Sequence, residues 1–325
     1  MILEDKTYIE TPPDETQLMH YLNLYQLLSI LNSNSLYFST VVLYEDVAES
    51  TLTKPSYDNV YSFTLLEDNS PVRKDKHYLS RLQYFRYPGL IYKGQWHKDT
   101  FAHLIDCFSR HFMFTHCWTM AESENILMWD RYRHHGSTLA IRTTVGRMKN
   151  AFAQEACQLH IGKIKYKDYE TEHITGFENY SQKNLSDPNT IEELFYQPVF
   201  HKQKIFESEN EVRIVIDYKY ITQYLLVKNT YLADIPFYDN NNWGRDEGRL
   251  PQTRDTSRKY FRVKSDHVCE IPHIYDVKTN IDELMESIIL SPYAASYEVE
   301  SIQGMMHQYG LNPNKVIRSS IALKS

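Results

Sequence analysis

Glycine is scarce in this chain, with 10 residues in 325. None of them falls in a GxGxxG, a Walker loop or a GxSxG elbow, and there is no HExxH. Glycine-rich dinucleotide folds, P-loop NTPases, serine hydrolases and zincins are therefore disfavoured. Cysteine is scarcer still. Cys107, Cys117, Cys157 and Cys269 are scattered without a CxxC pair. That supports neither a zinc site nor a disulfide framework, and it fits reduced, mostly buried thiols in a cytoplasmic protein. No run approaches the apolar length that spans a bilayer. Met1 to Pro13 is acidic and polar, where a secretory segment would be apolar. A cytoplasmic location without a membrane partner is the expectation. Basic charge is also in deficit: the formal net charge is −7. A general nucleic-acid footprint would be basic, so only a local basic patch stays open.

What is present is ordinary globular material, 42% hydrophobic and 24% charged, which excludes global disorder. Tyrosine is the outlier, with 26 copies. It buries a ring and keeps a hydroxyl, which suits polar clefts and stacking surfaces; codon bias is the competing explanation. The pattern predicts an α+β chain of mixed, mostly antiparallel sheets with flanking helices. It reads as a single domain over 1–325, with a mostly helical insertion near 70–112 and a long polar loop near 234–262. Leu18 to Leu31 recurs at helical spacing. Leu36 to Val42, Phe112 to Thr119, Ser137 to Thr143, Leu159 to Tyr166, Glu209 to Asp217, Ser287 to Leu290 and Val316 to Ile321 are strand candidates. Ser56 to Leu65 reads as a short strand or loop. Helices are expected over Tyr78 to Phe114, with a break at Pro88-Gly89, and over Ser123 to Arg133, Val145 to Ala156, Thr190 to His201 and Val299 to Tyr309.

Three segments carry the chemistry. In Glu209-Asn210-Glu211-Val212-Arg213-Ile214-Val215-Ile216, strand alternation puts Val212, Ile214 and Ile216 on one face and Glu209, Glu211 and Arg213 on the other, roughly 7 Å apart. Two carboxylates so close require a cation, which Arg213, Lys202 or Lys204 can supply. Such a cluster can hold a ribose diol, stabilise a cation or tune a base. A solvated face of an edge strand is the structural alternative. In Met128-Trp129-Asp130-Arg131-Tyr132-Arg133-His134-His135-Gly136, Trp129 and Tyr132 share a helix face, as core packing or as a stacking platform. The cations suit the helix C-terminus. Adjacent His134 and His135 diverge on a helix and do not make a metal site. The third segment joins His20-Tyr21 to Leu36-Tyr37-Phe38-Ser39-Thr40, then Asp46 and Glu49.

Taken in order, these segments resemble the uncharacterised bacterial family catalogued as domain of unknown function 2971, over roughly His20 to Ile321. The motifs carrying the resemblance are the Leu36-Tyr37-Phe38-Ser39 strand, Glu45-Asp46-Val47-Ala48-Glu49, Met128-Trp129-x-x-Tyr132 with Gly136, and Lys204, Phe206, Glu209, Glu211 and Arg213. At Glu45 to Glu49 the two acids of the family motif are kept, while its Asn and Pro are missing. The layout also resembles, more distantly, the ADP-ribosyltransferase superfamily. That likeness implies NAD as substrate and no metal. It implies His20 and Tyr37 or Ser39 at the ribose, and Glu209 and Glu211 as the catalytic pair. Tyr21, Trp129 and Tyr132 would be cofactor contacts, with Tyr37 or Trp129 stacking on nicotinamide, and Arg131 or Arg213 would bind the pyrophosphate. No Ser-Thr-Ser triplet is present, which is a departure from that superfamily. The analogy is one of fold and does not by itself fix function.

The chemistry expected from this likeness is cleavage of the nicotinamide–ribose bond through an oxocarbenium-like cation. ADP-ribose would pass to a protein or nucleic-acid acceptor, or to water, in a bacterial stress or defence setting. Two other readings stay open. One is a nuclease, with Asp46, Glu49, Glu209, Glu211 and Lys204 around a magnesium ion and Arg131 to His135 on phosphate. The other is a non-catalytic sensor or interaction module that presents the acidic strand and the 234–262 loop.

Overall fold

The computed structural model describes residues 6–46, 48–66, 113–132, 138–153, 158–183, 188–216 and 274–321, with short pieces between 91 and 110 and at 261–262 and 268–269. Its strands in chain order are β1 (Gln17–Asn23), β2 (Ser35–Thr40), β3 (Ile91–Tyr92), β4 (Gln95–Trp96), β5 (Phe114–Met120), β6 (Thr138–Thr144), β7 (Leu159–Lys163) and β8 (Lys165–Lys167). They continue as β9 (His201–Gln203), β10 (Glu211–Ile216), β11 (Phe261–Arg262), β12 (Val268–Cys269), β13 (Ile274–Lys278), β14 (Ser287–Leu290) and β15 (Val316–Arg318). Helix α1 is Leu24–Ser33, α2 is Lys54–Leu66 and α3 is Ile126–Tyr132. The class is α+β, with a mixed, mostly antiparallel sheet.

Several boundaries differ from the sequence expectation. The Leu18 to Leu31 repeat splits: its first part is β1 and its second part is α1. The divider is Asn23, whose side chain accepts from the Gln26 amide while Gln26 reaches back to the Asn23 amide, a capping box that starts a new helix. Leu18, Met19, Tyr21 and Leu22 are all buried, so β1 has two apolar faces and mimics helical spacing. The 56–65 segment is helix α2, with Pro55 in its first turn, where proline is tolerated. The Thr190 to His201 segment is a helix over Pro188–Tyr196, then a 3-10 turn over Gln197–Phe200, and then β9. Most of the expected 70–112 insertion and of the 234–262 loop lies outside the described residues, as do Pro88-Gly89 and Arg133 to Gly136. Within the first of these, β3 and β4 pair as strands where helix was expected.

One sheet organises the described residues. It runs β13-β2-β5-β1-β6-β14-β15, with β10 and β7 added beside β5. One edge of β5 pairs with β10 along its length, from Thr115↔Val215 to Thr119↔Glu211. Its other edge is shared: β2 takes the start (Ser39↔Thr115) and β1 takes the end (Met19↔Thr119). Between these contacts, at 116–118, the sheet forks into a β2–β13 branch and a β1–β6–β14–β15 branch. Because cross-strand partners share a face, Tyr37, Ser39, Thr115, Cys117, Thr119, Glu211 and Arg213 point one way. Leu36, Phe38, Trp118, Val212 and Ile214 point the other way, into the main core, and His116 shares their face. Strand β10 lies between β5 and β7 with all six residues buried. The solvated edge strand is thereby ruled out.

Candidate functional site

Around the fork lies a cavity of about 790 Å³, within the usual range for small-molecule sites. Side chains from both faces of the sheet line it. His20, Tyr21, Tyr37, Ser39, Arg131, Tyr132, Glu209 and Glu211 are all on its wall. So are Tyr44, Glu45, Asp46, Glu49, Thr115, His116, Cys117, Trp118, Thr119, Lys202, Gln203 and Phe206. The structure therefore gathers residues from five separate segments of the chain.

The acidic wall is made by a backbone irregularity. Glu209 ends a 3-10 turn (Lys204–Glu209), and Asn210 follows with φ of 44° before β10 begins. Asparagine is one of the few residues that enters this left-handed region readily. Its amide nitrogen donates to the Met120 carbonyl (2.8 Å), anchoring the corner to β5. Glu209 is thus not on the strand, and simple alternation does not explain its meeting with Glu211. Both carboxylates converge on the Lys202 ammonium, at 2.6 Å from Glu209 and 3.0 Å from Glu211, with Glu49 at 3.5 Å. The Phe206 ring lies 5.0 Å from that ammonium. An ammonium thus stands where three carboxylates meet. Among the described residues no group of three metal-ligating side chains is arranged to hold an ion.

Arg213 lies beneath this layer, fully buried. It donates to Glu211 (2.6 Å), Glu49, the Val199 carbonyl (2.7 Å) and Ser50. Burial alone would raise the Glu211 carboxyl, but the charges of Arg213 and Lys202 overcome it and hold the group at about 2. Glu49 goes the other way: burial raises it, with Glu211 repulsion adding to that, against Arg213 and Lys202. Glu211 is therefore a fixed negative charge and a poor base. Glu209 is bonded to Lys202 and to the half-exposed Arg131. A carboxylate offers about four lone-pair positions, so Glu209 keeps acceptor capacity towards the cavity.

Another part of the lining sits at the fork. The His20 Nδ1 donates to the Cys117 carbonyl (2.9 Å) and the His116 Nδ1 to the Tyr37 carbonyl (3.1 Å). Each imidazole supplies a bond to a backbone carbonyl where the strands have parted. The two rings are 4.5 Å apart, and Trp118 lies 5.2 Å from His20. Burial lowers both histidines, His20 to about 4 and His116 well below its ordinary value. Both are neutral at pH 7, with the proton on Nδ1.

Two expected site residues are not on the cavity wall. Trp129 is fully buried against Tyr21, and its indole nitrogen donates to Glu124 (3.1 Å). It is core, not a stacking platform. Arg213 has no exposed surface and its donors are taken by the protein, so it cannot bind a pyrophosphate. Lys204 is exposed and does not line the cavity, and Lys202 answers the carboxylates instead. The sequence reading missed Tyr44, His116, Cys117 and Trp118. His116 and Trp118 stand two apart in the predicted strand, a polar-bearing pair on a face otherwise apolar, and that was the available signal.

No family model, curated protein or solved structure matches this chain. Among the described residues no helix is long and apolar enough to cross a membrane.

Proposed function

We propose that this protein cleaves the N-glycosidic bond of NAD in the fork cavity, releasing nicotinamide and passing ADP-ribose to an acceptor hydroxyl, water included. The observation that carries the reading is the convergence of Glu209 and Glu211 on Lys202 in a cavity whose lining also includes His20 and Tyr37. The charge balance supports it further. Glu45, Asp46, Glu49, Glu209 and Glu211 line the cavity, against Arg131 and Lys202 as its cations, with Arg213 behind. An acidic, partly enclosed wall favours the pyridinium of NAD, and it favours the ribosyl cation even more.

In this mechanism the N–C1′ bond breaks and its electron pair leaves with nicotinamide, which becomes neutral. Positive charge develops on the ribosyl ring. Glu211, held ionised by Lys202 and Arg213, stabilises it through space. Glu209 orients the acceptor and takes its proton as oxygen bonds to C1′, then returns the proton to solvent. Tyr37 offers a ring for the nicotinamide, and Arg131 is the cation available to phosphate. A magnesium nuclease is less well supported, because Lys202 already occupies the point where the carboxylates meet.

The test is nicotinamide release from NAD, followed by chromatography. Glu209→Gln should lower the rate by about a hundredfold or more, the scale of a positioned acid–base group, while the fold is retained. No release by the wild-type protein with water or with candidate acceptors would overturn the reaction, and full release by Glu209→Gln would overturn the assignment.

A further inference from the structure

Two polar atoms at the fork have no partner although they are buried: His116 Nε2 and Trp118 Nε1. Their side chains are 5% and 2% exposed, and both line the cavity. Orphaned buried polar groups are rare and call for an explanation. Their hydrogen-bonding senses are opposite. The His116 Nδ1 proton is committed to the Tyr37 carbonyl, so Nε2 in the neutral ring can only accept. The Trp118 indole nitrogen can only donate. The two residues are next-but-one neighbours on β5 and share a face, with ring centroids 5.8 Å apart.

We infer that His116 and Trp118 form a specificity subsite for an uncharged planar group presenting an amino donor beside an acceptor. This chemistry occurs in a primary carboxamide on an aromatic ring and in the amino edge of adenine. The ligand's NH₂ donates to His116 Nε2, and its carbonyl or ring nitrogen accepts from Trp118 Nε1. A carboxylate in the same place sets its lone pairs against Nε2 and loses the first bond. His20 packs beside His116, with ring centroids 4.5 Å apart. For the identity of the reacting ring the inference rests on the proposed NAD cleavage, in which the carboxamide would be that of nicotinamide. The donor–acceptor pairing itself is independent of any reaction.

The test is equilibrium binding of benzamide, benzoate, adenosine and purine riboside to the whole protein, with no turnover required. Benzamide or adenosine should bind at least about tenfold more tightly than its partner lacking the amino group, the scale of one hydrogen bond made against a buried group left unpaired. The arm that discriminates tells carboxamide from nucleobase. Trp118→Phe removes only the donor and should weaken the favoured ligand about tenfold, while thermal stability holds, because that N–H has no protein partner to lose. Equal binding of amide and acid together with equal binding of adenosine and purine riboside overturns the subsite, as does failure of all four to bind. Unchanged affinity in Trp118→Phe also overturns it, and if that variant does not fold, the wild-type discrimination decides alone. Amide-selective binding without nicotinamide release from NAD leaves the subsite standing and removes the reaction. Release with no amide selectivity does the reverse.

Discussion

Replacing Glu211 by Gln changes one atom and one charge at the centre of the buried network. The wild-type carboxylate accepts from Lys202 Nζ at 3.0 Å and Arg213 Nε at 2.6 Å, and it is almost fully buried. In the variant Lys202, Arg213 and Arg131 face only Glu49 and Glu209, so one buried positive charge is left without a counter-ion. The glutamine amide must also turn its NH₂ towards a cation or into an apolar wall. Breaking one side of a buried pair in this way costs about 3–5 kcal/mol. With an unfolding entropy of about 2.1 cal/mol/K per residue, a chain of 325 residues loses about 4–7 °C in Tm. Scanning calorimetry or dye-monitored melting at pH 7.5 measures it. Glu209→Gln leaves Lys202 still paired with Glu211 and frees only the half-exposed Arg131, so it should lose less. A Glu211→Gln midpoint within about one degree of wild type, on this same entropy scale, would refute the claim that the cluster is a closed, desolvated charge network.

Acid should destabilise the protein in two stages. His20 and His116 have folded values below the unfolded value of about 6.5, so the unfolded state binds more protons as pH falls. Their stability contribution is complete above about 6.5 and is lost on the way to about 4, the folded value of His20. Glu211 is also depressed, to about 2, so its contribution is present above about 4.3 and is lost below that. A Tm–pH profile should fall first between pH 6.5 and 4 and again below 4.3, and Glu211→Gln should flatten only the second fall; a flat profile from pH 7 to 4.5 would contradict the neutral imidazoles. Elsewhere, Gly162→Ala on β7 would put a methyl 2.5 Å from Ile9 Cγ2 and 2.6 Å from Phe200 Cε1. It should destabilise by about 1–3 kcal/mol through overpacking, read by urea unfolding, without altering ligand binding.

Much of the fold was legible because its strands carry β-branched and aromatic runs. Leu36 to Val42, Phe112 to Thr119 and Glu209 to Asp217 each match the observed strand to within a few residues at each end, with Phe112 and Asp217 outside the described residues. The misreading at Leu18 to Leu31 has a physical cause: a strand buried on both faces loses the alternation that identifies it, and only the Asn23 cap separates it from α1. The α2 segment failed differently, since its tyrosine-, serine- and threonine-bearing sequence has weak helix preference. At the site, the residue types were readable and the geometry was not. Glu209 and Glu211 were paired by an assumed strand, whereas Asn210 in the left-handed region brings them together. Lys202 and Lys204 were equivalent candidates in one dimension, and the register of β9 against β8 selects Lys202. His116 and Trp118 could not be joined to His20 without the pairing of β1 and β2 along the same edge of β5.

That shared edge explains why the polar residues are where they are. A sheet that forks must leave backbone carbonyls unpaired at the point of divergence, and an unpaired carbonyl in a buried position is costly. Here the Cys117 carbonyl on β5 and the Tyr37 carbonyl on β2 are satisfied by imidazoles from β1 and β5. Histidine suits this task better than a longer amide, because its ring fills the opening while one nitrogen donates. The same choice leaves the second nitrogen of His116, a residue of the cavity lining, with nothing to accept from. The structural repair of the fork and the supply of a recognition atom are one event. A His116 substitution that restores the bond to Tyr37 without a second acceptor would therefore separate them, keeping the fold and losing the ligand.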